Sequence, residues 1–139
     1  MAGSPRTALT ALRIVVALLM FIHGVARVFA GGVDPFGAWL SSIGFPLGRP
    51  LAWLITIVEI VGTPALAAGI LVRPLSLYFA AQLAMGILLV HRPEGWFVVG
   101  LGRNGMEYSV LLIAVFLALA WASDSRGDTT LGSLKGRRA

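Results

Sequence analysis

The sequence predicts an all-α integral membrane protein, a four-helix bundle with antiparallel, up-down-up-down spans. Two observations carry the prediction. Hydrophobic residues fill 58% of the 139 positions and charged residues only 12%, about half the charge usual in a soluble domain. The apolar residues gather into four runs, about 8–29, 50–72, 74–91 and 104–122, each near the ~20 residues that cross a bilayer. One membrane domain over 1–122 and a polar, basic tail over 123–139 account for the whole chain.

The first span has a clear start, Ser4 as N-cap and Pro5 at the first helical position. It holds Arg13, His23 and Arg27. A cleaved signal peptide ending at Val28-Phe29-Ala30 is the rival reading, and His23 and Arg27 before that cut argue against it. Residues 30–49 form a loop rich in Gly and Pro, whose amphipathic, aromatic middle from Pro35 to Phe45 suits a short helix in the membrane interface. Pro50 opens the second span, and Pro64 inside it should kink the helix and free the carbonyl of Ile60. Arg73-Pro74 ends this span and starts the third, so spans two and three should be antiparallel neighbours. His91-Arg92-Pro93 closes span three. Asn104-Gly-Met-Glu107 has the spacing of a capping box at the start of span four, with Glu107 reaching back to the Asn104 amide.

Net charge is +5, but the basic residues lie at helix ends and termini, where they orient a membrane protein rather than bind nucleic acid. Arg6, Arg13, Arg73, Arg126, Lys135, Arg137 and Arg138 fall on one side, and Arg27, Arg49, Arg92 and Arg103 on the other. This bias places both termini in the cytoplasm. Cysteine is absent, which removes disulfides, thiol catalysis, iron–sulfur clusters and thiolate metal sites. No metal site is expected.

Glu59 is the one charge in the second span. A carboxylate in an apolar run needs a partner and is a functional candidate by default. With the spans alternating in direction, Glu59 lies about 13 Å below the outer start of its helix. His23, Arg27, His91, Glu107 and Tyr108 then share the outer half of the bundle with it. In the inner half only Arg13 compares, and it can snorkel. The pattern suggests a polar pocket open to the outer face. Glu59 is either an ion pair with Arg27 or a neutral acid bonded to His23, and either arrangement can serve packing alone.

These residues stand in pieces that resemble the DoxX family of small four-span membrane proteins over about Leu12 to Trp121. The pieces are Ile22-His23-Gly24 with Arg27 and Phe29; Pro50-Leu51-Ala52-Trp53 and Val58-Glu59-Ile60-Val61-Gly62; Leu71-Val72-Arg73-Pro74; Val90-His91-Arg92-Pro93-Glu94-Gly95-Trp96-Phe97; and Asn104-Gly105-Met106-Glu107-Tyr108. Each is weak alone, and their order and spacing carry the resemblance. It implies a four-helix membrane bundle in a bacterial cytoplasmic membrane, associated with redox enzymes. It also implies the same polar positions, His23, Arg27, Glu59, His91, Glu107 and Tyr108.

Two readings of function follow. In the first, the chain is the membrane subunit of an oxidoreductase system and binds a quinone. Glu59 and His23 exchange protons, and Arg27, His91, Glu107 and Tyr108 bind the headgroup. With no redox centre of its own, it needs a soluble or membrane redox partner for electrons. In the second it is a non-catalytic anchor or assembly subunit for a partner protein, and the polar cluster serves packing and docking. Haem ligation by His23 and His91 is weaker, because the two histidines sit at different depths. The lipid bilayer is a partner in every reading, and a homo-oligomer is compatible with each.

Overall fold

A computed structural model describes residues 4–100 and 103–124. Every regular element among them is helical. Five helices follow in order: α1 (Pro5–Phe29), α2 (Val33–Ser42), α3 (Gly48–Ala67), α4 (Val72–Glu94) and α5 (Glu107–Asp124). The helices α1, α3 and α4 are long and apolar enough to cross a membrane, while the apolar stretch of α5, Glu107–Ser123, is shorter. The chain forms two compact units, Met1–Leu71 and Val72–Ala139.

In the first unit α1 and α3 run antiparallel. Arg27 meets Thr56 and Glu59, Gly24 lies against Glu59 and Ile60, and Arg13 reaches Ala67, so the pairing climbs α3 as it descends α1. Ser4 caps α1 as expected, its hydroxyl accepting from the Thr7 amide. The face of α1 that is buried carries Val16, Ala17, Met20 and Gly24, a spacing of three and four that winds one narrow seam along the helix. The aromatic middle of the loop folds as α2. Its Val33 and Leu40 bury with Ala52 of α3 beneath Phe36, Trp39, Phe45 and Leu51. Gly37 and Gly48 allow the close crossing of α2 and α3: a Cβ on Gly37 would stand 2.6 Å from the Arg49 Cα, and one on Gly48 would strike the Gly37 carbonyl.

The helix ends of this unit close in one way. Gly31, Gly44 and Gly69 follow α1, α2 and α3 with φ of 64°, 98° and 85°. Each amide bonds a carbonyl three residues back, and the next amide bonds one five residues back. These are Schellman closures, which take up carbonyls that a helix end leaves orphaned.

Two boundaries differ from expectation. The second span starts at Gly48 and ends at Ala67, not at 50 and 72. The break falls at Gly69, whose left-handed backbone stops the helix. Arg73-Pro74 instead lies in the first turn of α4, where proline is tolerated because early amides have no intrahelical acceptor. Inside α3 the expected disturbance at Pro64 is a π-helical turn, Val58–Gly62, placed just before Thr63-Pro64. Proline offers no N–H to the preceding turn, and a widened turn is one way to absorb that.

In the second unit α4 and α5 form an antiparallel hairpin. Phe79 packs on Phe116, ring centroids 5.4 Å apart, and twelve residues further along each path His91 meets Asn104. The fourth span starts at Glu107 rather than 104, and the capping box is not made. The Glu107 carboxylate turns to the preceding loop, where its Oε1 accepts from the amides of Val98 (2.9 Å) and Val99 (3.0 Å). The loop in turn supplies the helix start, because the Met106 and Glu107 amides donate to the carbonyls of Gly95 and Trp96. Loop groups have satisfied the donors that Asn104 was expected to cap. The polar tail expected from 123 onward lies, past Asp124, outside the described residues.

Candidate functional site

Among the described residues the first unit holds one buried charge pair. Glu59 stands in the π turn of α3 and is fully buried, and the Arg27 side chain on α1 is 14% exposed. Arg27 Nη1 donates to Glu59 Oε2 at 2.6 Å and Nη2 donates to Oε1 at 3.3 Å, the two-pronged geometry that guanidinium and carboxylate favour. Nη1 also donates to the Thr56 hydroxyl at 3.0 Å. That hydroxyl donates to the Ala52 carbonyl at 2.7 Å, so Thr56 is held in place as an acceptor. The Phe36 ring of α2 covers the cation, 5.0 Å from Cζ to the ring centroid, a favourable cation–π distance.

Gly24 makes this arrangement possible. A Cβ there would lie 2.8 Å from the Glu59 Cβ and 3.2 Å from its Oε2. Only a bare backbone lets α1 approach α3 closely enough for the pair to form, as small residues do in membrane helix contacts. The Thr63 hydroxyl bonds the Glu59 backbone carbonyl and supports the same turn.

The donor count leaves capacity over. A guanidinium has five N–H groups. Two on Nη1 and one on Nη2 are engaged. The Nε–H and the second Nη2–H have no hydrogen-bond acceptor among the described residues. Both oxygens of Glu59 already accept from Arg27, so the spare binding capacity belongs to the arginine.

Of the expected site residues, Arg27 and Glu59 are brought together as the ion pair that the sequence left as one of two arrangements. His23 stands one residue off the α1 seam and is exposed. In the second unit His91 Nδ1 lies 2.9 Å from the Asn104 carbonyl oxygen, and Glu107 holds the two valine amides, so each ties down the 95–106 loop. Tyr108 is exposed on the first turn of α5. Arg13, expected to snorkel, bends to the end of α3 and donates to the Ala67 carbonyl at 3.2 Å, a cation at the negative end of a helix. Thr56, Gly24 and Phe36 were not anticipated. Their signal was present only as spacing: Thr56 is three residues before Glu59, and Gly24 three before Arg27.

The family model described as DoxX matches residues 8–92, more than half of the chain and both members of the ion pair. The chain belongs to the DoxX family. With three helices long and apolar enough to cross a bilayer, this DoxX chain is a membrane protein. It is also 27% identical over 108 residues to a Bacillus subtilis (strain 168) protein named "Putative oxidoreductase CatD", covering 78% of this DoxX chain and 75% of that relative. No solved structure matches it.

Proposed function

We propose that the protein is the membrane subunit of a redox system and that Arg27 binds the carbonyl oxygen of a lipid-soluble headgroup such as a quinone. The unused Nε–H and Nη2–H of a guanidinium that is buried but not sealed carry this reading. Those donors fit a carbonyl or partly anionic oxygen, and would attract it more strongly as negative charge develops there. A quinone supplies two-electron, two-proton carriage between a partner enzyme and the membrane pool. Glu59 and Thr56 fix the guanidinium plane, and Phe36 walls it with an apolar ring. His23, exposed one turn from Arg27 on α1, exchanges protons with the headgroup. Electrons come from a partner protein, consistent with a family relative named as an oxidoreductase.

In this reading the chain crosses a bacterial cytoplasmic membrane four times, up-down-up-down, with both termini in the cytoplasm. The basic-residue bias of the sequence supports that orientation.

One observation favours the second reading, an anchor or assembly subunit. Glu59 is sealed, and a closed two-pronged ion pair is also what helix packing uses. Arg27→Lys separates the readings. Lysine keeps the charge opposite Glu59 but offers neither the fork nor the spare N–H groups. The assay is extraction and mass analysis of purified protein, with binding of a short-tailed benzoquinone as the second measurement. Quinone enriched over bulk lipid in the wild type and lost in Arg27→Lys, with the fold retained, is the expected outcome. Equal quinone content in the two proteins refutes the site.

A further inference from the structure

We propose that the Gly95–Gly100 turn is embedded in the bilayer interface as a lipid-facing loop, held there by Glu107. The run Gly95-Trp-Phe-Val-Val-Gly100 carries no charge and is flanked by Glu94 on one side and Arg103 on the other. Trp96, Phe97 and Val99 are 49%, 50% and 79% exposed. An apolar tip between charged flanks, joining two apolar helices, suits a lipid surface, with the tryptophan at headgroup level.

The hairpin register points the same way. From the level where Phe79 meets Phe116, α4 continues to Glu94 while α5 reaches back only to Glu107, a difference of about 9 Å at ~1.5 Å per residue. So α5 begins below the level where α4 ends, and the turn fills the missing depth.

Irregular backbone survives at membrane depth only where its polar groups find partners in the protein. Here they do. The Val98 and Val99 amides donate to the Glu107 carboxylate, and the Gly95 and Trp96 carbonyls accept from the Met106 and Glu107 amides. The turn is pressed onto the helix start, since a Cβ at Gly105 would lie 2.5 Å from the Trp96 and Phe97 carbonyl oxygens. Glu107 is a positioning residue in this account. It satisfies amides that lipid cannot, and so lets the apolar side chains face outward.

The chain has no cysteine, so Val99→Cys gives one labelling site in the full-length protein. The protein is reconstituted in vesicles of phosphatidylethanolamine and phosphatidylglycerol, with Arg103→Cys as the reference position. Val99→Cys should react roughly tenfold more slowly than Arg103→Cys with a charged, impermeant maleimide, because hydrocarbon excludes the reagent. A fluorophore at Val99→Cys should be quenched more by lipids with a nitroxide near the headgroup than at mid-chain. Adding Glu107→Ala should raise the Val99→Cys rate toward the reference, and Glu107→Gln, whose amide oxygen still accepts, should raise it less. Equal rates at Val99→Cys and Arg103→Cys overturn the proposal. So does slow labelling without lipid quenching, which would mean that protein, such as a second copy of the chain, covers the turn.

Discussion

Glu59→Gln tests the ion pair directly. The substitution keeps the shape of the side chain and removes its charge. One oxygen still accepts from Arg27 Nη1, where the wild-type distance is 2.6 Å. The new NH2 group faces Nη2, donor against donor, where the carboxylate accepted at 3.3 Å. Arg27, only 14% exposed, is left without a countercharge. Removing one member of a buried pair costs about 3–5 kcal/mol. The retained hydrogen bond offsets about 1 kcal/mol of that, so the expected loss is about 2–4 kcal/mol. Unfolding in detergent micelles measures it, with Glu59→Gln beside Arg27→Gln and the double variant. The double variant leaves no stranded charge and should recover much of the loss, a coupling of about 1–3 kcal/mol on the scale of contacting residues. A Glu59→Gln protein within ~0.5 kcal/mol of wild type, or a double variant no better than the sum of its parts, refutes the argument.

Three further outcomes are expected. Gly24→Ala should destabilise by about 1–3 kcal/mol through overpacking against Glu59, even though alanine alone favours a helix by about 1 kcal/mol; a more stable protein in the same unfolding assay would show that α1 and α3 do not approach as described. Asn104→Ala should change stability by less than ~0.5 kcal/mol, because its backbone carbonyl and not its side chain makes the contact with His91, whereas a loss of about 1 kcal/mol would restore the capping role. A reporter fused at Ala139 should be active only in the cytoplasm, and activity on the far side alone would invert the orientation.

The helices were legible because long apolar runs have few alternatives, and the need of Glu59 for a partner was legible because a charge inside such a run is costly alone, but the sequence left Arg27 and His23 both open as that partner. Their supports were harder to see. Thr56 reads as an ordinary residue of an apolar helix until the hydroxyl is placed between Arg27 and Ala52. His23 is four residues from Arg27 and in the same outer half of its helix, yet the buried seam of α1 is narrow and passes through Gly24 instead. The capping box failed for a related reason. Spacing alone states what Glu107 can reach along its own helix, while the structure offered it two loop amides across a turn. The end of the second span was misplaced because Arg73-Pro74 is the louder signal, and Gly69 the one that sets the backbone.

The three glycine closures after α1, α2 and α3 bear on how this unit enters a membrane. A helix end normally drags hydrated carbonyls, and stripping their water in hydrocarbon costs several kcal/mol per group. At Gly31, Gly44 and Gly69 the chain's own amides already occupy two carbonyls at each end. Less hydration has to be shed during insertion at these points, so the ends are free to settle at different depths. The ten-residue α2, too short to span, carries this closure too, with the Leu40 and Ser41 carbonyls of its C-terminal end already bonded within the chain.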